Sequence, residues 1–307
     1  ILYLLKQSGA LTKNLHLDHP EDQILTGDVS VLKWLSAPSD VSVKMDGSVA
    51  VVWGTNPENG KFFVGKKSVF NKVKVQICYT IEDIQGFYSS KPELAEILTA
   101  CLEHLPRTEG IYQGDWIGFG GESKYTPNTI TYDFGTRTTC SIIICPHTVY
   151  SGSSIRGSVA SPLTEILDST DNVLFIQPTL DSTNRAVSLT EMYEMFDRCN
   201  FLTPKAAAEV KPIINQFIRE GKQITIDMLT LIVGDYNLAA LYHCIIAQKV
   251  ILMSGMIVYD GPKAFIGDQP IDAEGFCRTN KYGTLKLVDR YSFAQANFNN
   301  GRFQTSI

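Results

Sequence analysis

Two apolar runs rich in β-branched residues, Val41-Ser42-Val43 and Val49-Ala50-Val51-Val52-Trp53, are separated by only five residues, Lys44-Met45-Asp46-Gly47-Ser48. A branched Cβ is stiff in a helix and packs well on a pleated surface, so both runs favour extended backbone. Asp-Gly between them is a turn signal, because Gly supplies φ > 0 and Asp tolerates it. The pattern predicts a β-hairpin with Lys44 beside its tip. By itself this leaves Lys44 either a solvated residue next to a turn or an amine held in place for chemistry.

The rest of the chain sets the surroundings of that hairpin. A short helix is expected near Val29–Leu35, and strands from 41 to 80. Leu94, Ile97, Leu98 and Cys101 fall at helical spacing within Lys91–His104. Strands return from Ile111 to Tyr150, the Gly- and Ser-rich stretch Ser151–Ser161 reads as a mobile loop, and Val173–Gln177 reads as a strand. The character then changes. Ser188-Leu189-Thr190-Glu191 forms a capping box ahead of an apolar stripe at Met192, Met195, Phe196 and Cys199. Pro204 opens a further helix with Val210, Ile213, Ile214, Phe217 and Ile218 inward and Gly221 at its end. Helices follow from Ile226 and from Asn237 to Ser254. Strands resume at Ile257, with Phe276 and Leu285–Val288 among them. The expected fold class is α+β and mostly antiparallel. Residues 188–255 would be a helical subdomain inserted between a first core part, 1–187, and the last strands, 256–307.

Composition narrows the classes. The chain has 307 residues, 44% of them hydrophobic, enough for a full core. Its net charge is −5, which disfavours nonspecific binding along a nucleic-acid duplex. The one basic cluster is Lys61–Lys74, with five lysines. Seven cysteines, an odd number spread widely and without Cys-x-x-Cys, read as reduced core residues. Asp18-His19-Pro20-Glu21-Asp22 reads as an acidic loop. Leu238–Val258 is the longest apolar stretch, but His243, Gln248 and Lys249 within it favour a buried helix over a membrane span. The apolar start Ile1–Leu5 is too short, and lacks the basic lead, for a signal peptide. Together these place the protein in the cytoplasm, the host's if the source is viral.

Lys44-x-Asp46-Gly47 resembles the nucleophile motif of the covalent nucleotidyltransferases, the superfamily of ATP-dependent DNA and RNA ligases and mRNA capping enzymes. Further segments follow in the superfamily's order. Gln113-Gly114-Asp115-Trp116 resembles its third motif, with Asp in place of the commoner Glu. Glu274-Gly275-Phe276 resembles the fourth. Tyr282-Gly283-Thr284-Leu285-Lys286-Leu287-Val288 resembles the fifth, a strand with an inward lysine, with Val288 where a second lysine is usual. Lys281 and Arg290 are the nearest replacements. The similarity runs from about Val41 to Val288 and is closest to a divergent, phage-type RNA-ligase-like branch.

The resemblance implies a chemistry for each residue. Lys44 would attack the α-phosphate of ATP and carry the nucleotide as a phosphoramidate. A lysine amine is protonated at neutral pH and attacks only when neutral, so its pKa must be lowered by desolvation or nearby positive charge. Lys286 would stabilise charge on the phosphoryl group. Mg²⁺, with Mn²⁺ as a substitute, would orient the triphosphate through the oxygens of Glu274 first and Asp115 second. Asp115 could instead hold the ribose hydroxyls. Asp46 would shape the turn and position Lys44, with Gly47 beside it. Lys66 or Lys67 would touch ribose or phosphate. His147, Tyr150 and Tyr132 are the ring candidates for stacking the base. The expected partners are a nucleoside triphosphate and RNA ends, without a membrane. Only 21 residues follow Lys286 (307 minus 286), too few for the OB-fold that DNA ligases and capping enzymes carry, so an RNA-ligase-like enzyme is expected. A same-fold transferase with a protein or small-molecule acceptor, and a non-enzymatic virion or structural protein retaining the fold, stay open at this point.

Overall fold

In the computed structural model, which describes residues 17–182, 189–291 and 293–294, the two apolar runs around Lys44 are both strands, but they belong to different sheets. After a helical turn α1 (Pro20–Gln23) and helix α2 (Ser30–Ser36), strand β1 (Asp40–Lys44) leads towards β2 (Ala50–Thr55), β3 (Phe62–Gly65) and β4 (Ile77–Cys78). Helices α3 (Ile81–Tyr88) and α4 (Pro92–His104) follow. Then come β5 (Ile111–Phe119), β6 (Lys124–Tyr125), β7 (Thr131–Asp133), β8 (Ile142–Ser151), β9 (Val159–Pro162), β10 (Val173–Phe175) and β11 (Thr179–Ser182). Helices α5 (Thr190–Phe196), α6 (Pro204–Arg219), α7 (Ile226–Val233) and α8 (Tyr236–Met253) form one consecutive block. The last elements are β12 (Met256–Tyr259), β13 (Lys263–Ile266), β14 (Gln269–Ile271), β15 (Gly275–Asn280) and β16 (Gly283–Leu287). The capping box expected at Ser188 and the apolar start Ile1–Leu5 lie outside the described residues.

The fold is α+β with mostly antiparallel sheets; β10 alongside β8 is a parallel pair. One three-stranded sheet has the order β1-β15-β16, and the large sheet runs β10-β8-β5-β2-β3-β4 with β9 also on β8. The expected hairpin is therefore corrected. The segment from Met45 to Val49 crosses from one sheet to the other. Two interactions explain why. Asp46 is not a solvated turn residue: its buried carboxylate accepts from the Thr129 amide (2.7 Å), the Ile130 amide (3.0 Å) and the Asn128 side chain (2.8 Å). Downstream, the Ser48 amide donates to the Trp116 carbonyl and the Trp116 amide to the Val49 carbonyl. The chain is thus pulled onto β5 before it could fold back on β1.

The loop expected at Ser151–Ser161 is also corrected. Val159–Pro162 is a strand paired antiparallel with β8, because Ala160 has a buried place among Phe70, Tyr150 and Ile155. The Gly and Ser residues mark only the turn. In α6, Val210, Ile214 and Ile218 are buried as expected, but Ile213 is 44% exposed. The helix is capped as its sequence predicts, Thr203 accepting from the Ala206 amide with Pro204 in the first turn.

The helical block shares its core with the rest of the chain. Met192, Val210, Ile214, Leu238 and Tyr242 pack in one cluster with Leu25, Trp34, Val43, Phe276 and Leu287. Helix α2 is tied to β15 by the buried Arg278, whose guanidinium donates to the carbonyls of Trp34, Leu35 and Ala37 and so satisfies groups the helix end leaves open.

Helix α8 is long and apolar enough to cross a membrane, yet its inner face carries a buried lysine. Lys249 donates to Glu21 (2.6 Å), with both side chains at or below 2% exposure. The supposed acidic loop at Asp18–Asp22 is corrected accordingly. Glu21 and Asp22 sit in α1 and face inward, where Arg290 bonds both and the Tyr242 hydroxyl donates to Asp22. Their charges are drawn inside by the lysine of α8 and the arginine beyond β16. Truncating Glu21 would leave Lys249 a buried, unpaired charge, a change that costs about 3–5 kcal/mol. Glu21→Ala is expected to lose stability of that order in urea unfolding followed by circular dichroism. A loss below 1 kcal/mol would refute the role assigned to this pair.

Candidate active site

Side-chain alternation places the chemistry on one face of the three-stranded sheet. Across it, Ser42, Cys277 and Lys286 are direct neighbours, and Lys44 lies opposite Gly275 two positions along. Lys44 and Lys286 therefore share a face. The alternate residues Val43, Phe276 and Leu287 share the other face and enter the core. That is the physical meaning of the Leu-Lys-Leu pattern at 285–287: two buried anchors and one half-buried cation facing the site.

Glu274 immediately precedes β15 and its carboxylate is hydrogen-bonded to the Lys44 amine. Gly275 next to it is required by a close approach: a Cβ there would lie 2.2 Å from the Leu287 carbonyl oxygen. Asp115 comes from β5 in the other sheet. It is brought to Lys44 by the crossing segment, and a Cβ on Gly47 would lie 2.5 Å from the Asp115 Cβ. The two glycines of the motifs thus let two backbones close on the acids.

The groups alter one another's proton affinity. Burial would push the Lys44 amine down, but the charge and hydrogen bond of Glu274, with Asp115 adding, hold it above the ordinary lysine value. Burial pushes the Glu274 carboxyl up to about 7, against the pull of Lys44. Asp115 is held low: burial opposes this, but His147, Lys44 and Lys67 prevail. His147 Nε2 stands 3.6 Å from the Asp115 carboxylate. Lys286 is depressed by burial and then by the charges of Lys44 and Arg290.

A cavity of about 440 Å³ opens over this face, walled by both sheets. Lys44, Gly47, Lys67, Asp115, His147 and Lys286 line it, with Met45, Val49 and Tyr150 giving it an apolar part. Its volume is in the range of small-molecule sites. Of the residues singled out in the sequence, Lys66, Asp46 and Tyr132 do not line it. The Tyr132 hydroxyl takes the Asp46 amide (2.5 Å), so Tyr132 holds the crossing segment. Glu274 stands at the wall between this cavity and a second one beyond Lys286. Of the two replacements for the missing lysine, Arg290 lines the second cavity, whereas Lys281 sits exposed at the β15–β16 turn.

Sequence reasoning missed Gln113, Cys277 and Thr148 in the first cavity and Arg219 and His19 in the second. Gln113 precedes the Gly-Asp of the third segment and the alternation of β5 could have marked it; nothing local marks the others. Among the described residues no three His, Cys, Asp or Glu side chains cluster as a metal site. Glu274 and Asp115 are the carboxylates that offer hard oxygens of the kind Mg²⁺ prefers.

The chain belongs to the family of unknown function DUF6267, whose model matches residues 14–231 and 233–302. No curated protein and no solved structure matches it.

The Lys44–Glu274 pair makes a definite prediction. The folded Glu274 value lies above the ordinary 4.5, so the native state binds the additional proton. Its contribution to stability is complete below about 4.5 and is lost as pH rises through about 7. Carbon-13 NMR of the Glu274 carboxyl in metal-free protein should titrate near 7. Because Lys44 lowers it, Lys44→Met should move the midpoint upward. A midpoint near 4.5, or a downward move in the variant, would contradict the assigned coupling.

Proposed function

We propose that the protein is a nucleotidyltransferase that works through a covalent Lys44–nucleotide, with ATP as donor and RNA ends as acceptor. The observation that carries this reading is the placement of the Lys44 amine, paired with Glu274, at the wall of a cavity that also presents Lys286, Lys67, Asp115 and His147. Its support from the sequence is the order of the four segments. The structure adds that the first, fourth and fifth lie on adjacent strands and the third reaches the same point from the other sheet.

The chemistry follows from these positions. Lys44 loses a proton to Glu274, whose raised proton affinity suits a base working near neutral pH. The neutral amine attacks the α-phosphorus; a P–N bond forms, and the P–O bond to the leaving diphosphate breaks. Lys286 and Lys67 offset the negative charge that builds on the phosphoryl oxygens. The base rests on the apolar side of the cavity, against Met45, Val49 and the ring of Tyr150, with His147 at its edge. With Glu274 serving as the base, Asp115 would hold a divalent cation, which when bound would neutralise the triphosphate and ease departure of the diphosphate.

Incubation with Mg²⁺ and α-labelled ATP or GTP, followed by a denaturing gel, tests this directly. Label should stay on the wild type, preferentially from ATP, and vanish in Lys44→Ala. Lys286→Ala should slow labelling about 100- to 1,000-fold, the usual cost of removing one donor to a developing charge. The absence of label from either nucleotide between pH 6 and 9, with Mg²⁺ or Mn²⁺, would sink the proposal.

A further inference from the structure

The cavity beyond Lys286 has a volume of about 440 Å³ and is shared between the three-stranded sheet and the helical block. Helix α6 contributes Pro212, Asn215 and Arg219 to it, a spacing of three and four residues that marks one helical face. The sheet side contributes Glu274 and Lys286, and the segment beyond β16 contributes Arg290. Glu274 is the one carboxylate among the lining residues, and Lys44 engages it. The Arg290 guanidinium is bonded to Asp22, Glu21 and Asn215 and is fixed in the wall. Lys286 and Arg219 make no side-chain hydrogen bond or ion pair among the described residues. The cavity therefore holds two cations that no side chain bonds among the described residues, though Glu274 and Asp18 act on Lys286 through their charge, and Ile218, Val288 and Phe293 add apolar surface. Burial and the fields of Lys44 and Arg290 outweigh the pull of Glu274 and Asp18 on the Lys286 charge, so an anion placed here offsets the remaining repulsion and gains charge-assisted hydrogen bonds.

We propose that this second cavity is a phosphate site completed by the helical block, in which Lys286 of β16 and Arg219 of α6 together bind a phosphate group of the substrate that meets Lys44. This rests on the function proposed above and gives the helices a part in it. A neutral hydroxyl or a cationic amine would leave both cations uncompensated, which favours a phosphate-bearing ligand. Two sources share that chemistry: the diphosphate released when Lys44 is loaded, and a terminal phosphate of the acceptor. In the second case a phosphate oxygen attacks the α-phosphorus of the lysyl-nucleotide. A P–O bond forms, the P–N bond breaks, and the Lys44 amine leaves with the proton returned by Glu274. No oxidant or further reactant is needed.

Calorimetric titration of the full chain, without nucleotide, tests the site. The probes are inorganic pyrophosphate, a 5′-phosphorylated ribodinucleotide and its 5′-hydroxyl counterpart. The wild type should bind pyrophosphate or the phosphorylated dinucleotide, and Arg219→Ala should weaken that binding at least 10-fold. Arg219→Lys should restore most of it, and the thermal melts of both variants should match the wild type, since Arg219 is exposed. Stronger binding of pyrophosphate assigns the leaving group; preference for the 5′-phosphate over the 5′-hydroxyl assigns the acceptor. Equal binding by wild type and Arg219→Ala, or none at millimolar concentrations, overturns the site even where Lys44 is labelled normally. Conversely, Arg219-dependent binding without labelling of Lys44 would keep the phosphate site and remove the transferase reading.

Discussion

The position of Asp46 decides how the molecule is put together. A carboxylate that accepts from two backbone amides and an asparagine is worth more in place than in water, because those amides would otherwise be buried without partners. It fixes the five residues after β1 against the segment before β7, and so denies them the tight turn their composition invites. Everything at the candidate site depends on that refusal. A hairpin would have placed Lys44 at an exposed tip of one sheet. The crossing instead carries it to the junction of two sheets, where Glu274 bonds it and the charge of Asp115 acts on it.

A second polar cluster does for the helices what Asp46 does for the strands. Glu21, Asp22, Tyr242, Lys249 and Arg290 come from three separate stretches of chain and meet in the interior. Isolated, each charge would be costly to bury; together they satisfy one another, and the arrangement tolerates little displacement. Helix α8 is held against α1, and Arg290 is aimed so that its second nitrogen reaches Asn215 of α6. The wall of the second cavity, where Arg290 and Asn215 face it, is thus held in place by a buried network behind it.

How much of this could be read beforehand depends on the range of the interaction concerned. Helices α4, α6, α7 and α8 were legible because spacing, caps and Pro or Gly at the ends are local signals. The strands bearing Lys44, Asp115 and Lys286 were legible through alternation, and Gly47 and Gly275 through their place beside the acids. The hairpin was misread because the partners of Asp46 lie more than eighty residues away in sequence. The strand at Val159–Pro162 was hidden by the Gly and Ser of its own turn, and the inward turn of Glu21 and Asp22 by the distance to Lys249. Arg219 carried no signal at all: an arginine in the last turn of a helix is equally expected for its effect on the helix dipole.

The resting state of the Lys44–Glu274 pair bears on how such a site would work. A lysine held above its ordinary proton affinity is a poor nucleophile, and that is the condition of the protein alone. The cause is Glu274, so whatever draws Glu274 away from the amine also removes what keeps it charged, and the burial that is now outweighed would then push the lysine towards its neutral form. On the function proposed above, positive charge arriving with a triphosphate and its cation would favour passage of the Lys44 proton to Glu274, which ends that hold. Under that proposal the pair would couple activation of the amine to occupation of the cavity. Water and stray electrophiles would meet an ammonium group, whereas a bound nucleotide would meet an amine.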